Sequence, residues 1–89
     1  MPTIVVRHKV ENFDTWLKGH QDRVKIFSKF CPGFNTFQDT NDPNSVVMVC
    51  EVNDMEAFQE VMSDPELMKM AHEKHTVIDP ITISMPVAI

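Results

Sequence analysis

Residues 45–52 read Ser45-Val46-Val47-Met48-Val49-Cys50-Glu51-Val52. Rich in β-branched and apolar side chains, this is the most strand-like stretch of the chain. An antiparallel strand with one wet face alternates apolar and polar residues. This one does not, because Val46, Met48, Cys50 and Val52 make one face while Val47 and Val49 make the other. The stretch predicts a central strand that is covered on both sides.

Working outward, Asn41-Asp42-Pro43-Asn44 is a turn by composition. It joins a weaker strand at 34–39 to the central one, which predicts an antiparallel hairpin. Residues 3–10 form another strand, with Ile4 and Val6 on one face and Val5 on the other. Asn12 is a plausible N-cap and Asp14 falls in the first turn of a helix. Phe13, Trp16, Leu17, His20, Val24, Phe27 and Cys31 follow helical steps and form one stripe, which Pro32-Gly33 ends. Asn53 with Glu56 resembles a capping box that opens a second helix, whose buried side is Phe58, Val61 and Met62. That helix restarts at Ser63-Asp64-Pro65-Glu66, with Ser63 as cap and Glu66 closing its box, and runs to about Lys74. Asp79-Pro80 precedes a last strand, Ile81–Met85.

The order is β-α-β-β-α-β: an α+β chain with a four-stranded antiparallel sheet and two helices on one face. Two helices leave the other apolar face open. A second copy of the chain is the simplest cover, since two-fold self-complementary contacts are the commonest oligomer geometry. A homodimer is therefore expected. A chain of 89 residues has room for one domain, 1–89, and a domain this small gains from oligomerisation.

The formal net charge of -5 argues against a nucleic-acid partner. No apolar run approaches a membrane span, and residues 1–10 lack the features of a signal peptide. A cytoplasmic location and no membrane partner are expected. Cys31 and Cys50 fit no zinc spacing and no CxxC motif, so they read as small buried hydrophobes. With Gly19 and Gly33 as the only glycines, no phosphate-cradling loop is possible. RNA-binding modules with this element order need exposed aromatics on their central strands, which are aliphatic here.

The run Val6-x-His8-x-Val10-x-Asn12-Phe13-Asp14-x-Trp16, then Asp39-x-x-Asp42-Pro43-Asn44-x-Val46-Val47, then Glu51-Val52-x-Asp54 and Ser63-x-Pro65-Glu66-Leu67, resembles the dimeric α/β barrel superfamily of ferredoxin-like proteins. Within it the likeness is to small members grouped with antibiotic-biosynthesis monooxygenases. The resemblance implies two sheets packed face to face, and a cleft in each subunit between sheet and helices. It also implies an activity from a set that includes cofactor-independent monooxygenases, polyketide cyclases, haem-degrading enzymes and isomerases. The chain departs from plant cyclases of this fold, having Asp64-Pro65-Glu66-Leu67 in place of a His-Pro-x-His element. It also has His75-Thr76-Val77 where relatives carry a small Ala-Gly-Val step, which puts bulkier polar residues near the cleft end.

His8 shares strand parity with Val6 and Val10, so it should face the helices. His20 lies within the apolar stripe and should point inward too. Two imidazoles converging on one apolar cleft are candidate acid–base groups, with Trp16, Phe27 and Met62 as walls that bind a ligand. The plainer reading is two separate core histidines. His72 and His75 have a spacing that can hold a metal, but their side of the helix is expected to be solvated, and no metal site is assigned. Arg7, Lys9 and Glu51 either pair across the strands or meet a charged substrate. Met48, Met55, Met62, Met70 and Met85 either fill the core or line an adaptable pocket.

Two functions remain. One is a cofactor-independent oxygenase, cyclase or isomerase acting on a small apolar or aromatic molecule, with His8 and His20 as its catalytic groups. The other is a non-catalytic dimeric module that binds a small ligand or a protein.

Overall fold

The computed structural model describes residues 2–88, Asp79 by its backbone alone. Its elements are β1 (Thr3–Val10), α1 (Phe13–Leu17), α2 (His20–Phe27), β2 (Phe34–Gln38), β3 (Ser45–Glu51), α3 (Met55–Ser63), α4 (Pro65–Lys74) and β4 (Val77–Ser84). The strands form one antiparallel sheet in the order β2-β3-β1-β4. The expected hairpin is present. Its turn is held by the Asp39 carboxylate, which accepts from the backbone N–H groups of Asn41 and Asp42, and by Asp42, which accepts from that of Asn44.

Strand parity sorts the sheet. Ile4, Val6, His8 and Val10 of β1 and Val46, Met48 and Cys50 of β3 are buried beneath the helices. Trp16, Phe27, Phe30, Phe58 and Val61 close over them. Phe30 meets Phe58 edge to face at 5.1 Å, and Phe27 packs on both Phe30 and Phe34 at 4.9 Å. On the other face Val5, Val47 and Val49 are half-buried by their strand neighbours alone, and Phe37 is exposed. Of the charged strand residues, Lys9 pairs with Asp42 at 3.3 Å, and Arg7 donates to the Ser45 hydroxyl at 3.4 Å.

The first helix is not continuous. Asn12 caps α1 as expected, accepting from the Thr15 N–H at 2.9 Å. The chain then steps at Lys18-Gly19 and restarts as α2. Arg23 reaches back to fill the gap, donating from Nη2 to the Trp16 carbonyl at 2.6 Å. The Gly19 N–H donates to the same carbonyl at 3.0 Å, so a backbone and a side-chain donor together satisfy the helix end at the break. The break resets the phase: Leu17 and Val24, expected in the buried stripe, are 44% and 41% exposed, and Arg23 turns inward.

Two caps also differ from expectation. Asp54 rather than Asn53 caps α3, accepting from the Ala57 N–H at 3.0 Å. Asp64 rather than Ser63 caps α4, accepting from Glu66 at 2.9 Å and Leu67 at 3.4 Å, with Pro65 at the first helical position. The Ser63 hydroxyl instead donates to the Gln59 carbonyl at 2.6 Å. An aspartate held by a proline that pre-sets the first turn outcompetes the serine before it.

The last strand starts earlier than expected, at Val77, and contains Asp79-Pro80. Proline is tolerated there because β4 is an edge strand, and its pairing with β1 shifts register between Arg7 and Lys9.

Candidate functional site

A cavity lies between the sheet and the helices. Its floor is Val6, His8 and Met48 of the sheet, and its walls come from α1 and α2 (Trp16, Asp22, Arg23, Ile26, Phe27). Helices α3 and α4 contribute Val61, Met62, Leu67, Met68, Met70 and Ala71, and the entry to β4 adds His75, Val77 and Ile81. Its volume is about 80 Å³ and it is partly open to solvent. That holds several waters at roughly 10–15 Å³ each, but falls short of the ~150 Å³ that accepts a benzene ring. A ring-sized occupant therefore needs lining side chains to give way. Met48, Met62, Met68 and Met70 suit that, since methionine is unbranched and flexible.

Four polar side chains break the apolar lining: Asp22 at the rim, and three buried ones, His8 at 5% exposed, Arg23 at 7% and His75 at 6%. His8 is fixed by β1 parity and stands edge-on to Trp16, ring centroids 5.7 Å apart. Neither of its ring nitrogens has a hydrogen-bond partner among the described residues. Burial, with help from the Arg23 charge, lowers its pKa to about 4. The imidazole is neutral at pH 7.

The Arg23 guanidinium lies 3.9 Å from the centre of the Trp16 ring, a cation–π contact that offsets part of its desolvation. Burial lowers its pKa to about 10, so it still carries its charge at neutral pH. Nη2 is bonded to the Trp16 carbonyl, while Nε and Nη1 are buried without a hydrogen-bond partner among the described residues.

His75 ends α4. Its Nε2 lies 3.6 Å from an Asp22 oxygen that also accepts from Lys74 at 3.2 Å. Burial and the Arg23 charge lower the His75 pKa, against a smaller upward pull from Asp22. The next residue, Thr76, has φ 59°, a left-handed conformation costly for a β-branched side chain. It is held there by the corner between β1 and α1: its hydroxyl bonds Asn12 and its carbonyl accepts from Glu11 at 2.9 Å. Gly19 gives the His75 ring room to enter, since a Cβ at that position would collide with it.

His8, Trp16, Phe27 and Met62 thus share one cavity. His20 does not join them. Its half-buried ring packs on Phe34 at 5.6 Å and is not among the residues lining the cavity. The expected convergence of two imidazoles is corrected in partner: the second imidazole is His75, which had been expected in solvent. The helix break explains both changes, because it moves the inward phase from His20 to Arg23. His72 stays on the helix, its Nδ1 2.6 Å from the Met68 carbonyl, and no group of metal-ligating residues occurs among the described residues. The signal for Arg23 was a second helical stripe, Trp16, Arg23, Phe27 and Phe30, that contains one cation.

No protein-family model matches the chain, and no curated protein matches it in sequence. Solved structures do. An antibiotic biosynthesis monooxygenase superposes with a TM-score of 0.72 at 16% identity, over 100% of this chain and 99% of the other. SnoaB, a cofactor-independent oxygenase from Streptomyces nogalater, gives a TM-score of 0.67 at 18% identity, over 99% and 92%. A conserved protein from Methanosarcina mazei gives 0.69 at 17%, over 96% and 89%. The chain has the ferredoxin-like α+β fold of the antibiotic-biosynthesis-monooxygenase-like proteins, as its motifs suggested.

Proposed function

We propose that this protein acts on a small, largely apolar or aromatic molecule held in the cavity between sheet and helices, as a cofactor-independent oxygenase, cyclase or isomerase. The observation that supports this is His8: a neutral imidazole, deeply buried, with both ring nitrogens unpaired beside a cavity lined mostly by apolar side chains. A base whose conjugate acid has a pKa near 4 is poorly matched to removing protons at pH 7. It is well matched to orienting or polarising a carbonyl as a neutral hydrogen-bond donor, and to passing a proton within a bound complex. Trp16, Phe27 and Met62 hold the molecule against it. The likeness to SnoaB fits this reading, though a shared fold hosts many activities.

The test is native mass spectrometry of freshly purified protein for a bound small molecule, repeated on His8→Gln. Retention by the wild type and loss by the variant, at unchanged fold, is the expected result. Equal retention by both would leave His8 a core residue and sink the role assigned to it.

The same weak basicity supports a second reading, a binding module with no turnover. Steady consumption of the molecule identified by mass spectrometry separates the two.

A further inference from the structure

The cavity contains one buried charge that the apolar-ligand reading does not use. Arg23 is more than nine-tenths buried, yet a single carbonyl and one ring face are its partners. A guanidinium has five N–H groups, and those on Nε and Nη1 end in the protein interior unpaired. Among the described residues the one carboxylate on the cavity wall is Asp22, at the rim, and its oxygen is engaged by Lys74 and approached by His75. Both buried imidazoles are held toward their neutral forms. At neutral pH the inner wall therefore carries one positive charge that, among the described residues, has no carboxylate in ion-pair contact, Asp22 acting on it only through space from the rim.

We propose that Arg23 forms an anion-binding subsite, and that the molecule taken by the cavity is a hydrophobic carboxylate, an apolar body bearing one ionised acid group. The proposal rests on the cleft reading above and narrows its substrate class. The carboxylate accepts from the unused N–H groups of Arg23, and His8 supplies a neutral hydrogen bond nearby. The methionine-rich walls take the apolar body. A charge-assisted bond of this kind is strong because the surroundings exclude water. A purely structural arginine predicts something different: replacing a poorly paired buried cation with an apolar side chain is often neutral or stabilising, and costs no binding preference.

Trp16 is the only tryptophan, and it touches both Arg23 and His8, so its fluorescence reports the site. Octanoate and 1-octanol, matched in chain length, are titrated at pH 7 into the wild type and Arg23→Met, with folding of the variant checked by circular dichroism. The wild type should bind octanoate at least tenfold tighter than octanol. Arg23→Met should lose that preference, binding octanoate no tighter than octanol. Should the variant not fold, the wild-type preference decides alone. Octanol binding as tightly as octanoate in the wild type overturns the anion subsite and leaves the apolar cleft standing. If neither probe perturbs Trp16, the subsite and the cleft reading both fall.

Discussion

His8 links burial to pH. Its pKa falls from an ordinary 6.5 to about 4 on folding, so between those values the unfolded chain binds the extra proton. Stability then rises with pH through that window and is lost as pH falls from 6.5 towards 4, by up to on the order of 3 kcal/mol. His75 acts in the same direction. Urea midpoints at pH 7 and pH 4.5 should show a drop for the wild type and a clearly smaller one for His8→Gln. Equal drops would mean that His8 is hydrated and titrates normally. Gly19 offers a steric test at the same scale. Gly19→Ala should destabilise by about 1–3 kcal/mol, because the added methyl drives into the His75 ring. Nothing lies within 4 Å of a Cβ at Gly33, so Gly33→Ala should be close to neutral in the same melts.

Helix ends decide where the site residues point. The Lys18-Gly19 step separates α1 from α2 and rotates Arg23 onto Trp16, and the turn at Thr76 delivers His75 from the end of α4. The caps that fix α3 and α4 are aspartates that accept backbone N–H bonds. Asp64→Ala should therefore cost about 0.5–2 kcal/mol, and Asp54→Ala a similar amount. Ser63→Ala, which removes a hydroxyl bonded within α3, should cost less than Asp64→Ala in the same denaturation series. The reverse order would restore Ser63 as the cap.

At the scale of the whole molecule the open sheet face sets the expectation. Val5, Val47 and Val49 lie there with no helix over them, and Phe37 beside them is exposed. A second copy packed on this face would bury them, and we expect a homodimer at micromolar concentration, measured by light scattering as twice the chain mass. Val49→Asp should yield a monomer or an unfolded chain, since an unpaired charge in an apolar contact is costly. A wild-type monomer would remove the reason for this face to be apolar. The cavity lies on the opposite side of the sheet, so loss of the dimer should leave the Trp16 response to octanoate in place if the monomer stays folded.

The sequence by itself determined the order of elements along the chain, the antiparallel hairpin, the position of His8 and the apolar character of both sheet faces. These follow from local rules: period-two parity settles which way a strand residue points, and turn residues settle where the chain reverses. Trp16, Phe27 and Met62 were legible as cavity walls from helical periodicity. Only the tertiary structure decided the polar half of the site. A helical stripe extrapolated through Gly19 put His20, Leu17 and Val24 inside, but the interrupted helix selects Arg23 instead. His75 was expected in solvent because its helix phase points off the apolar stripe, yet the left-handed Thr76 and the missing side chain at Gly19 turn it inward. The first outcome turns on a contact across the helix break, between Arg23 and Trp16, and the second on residues far apart in the chain, Gly19 and His75; in both, packing outweighs helical periodicity.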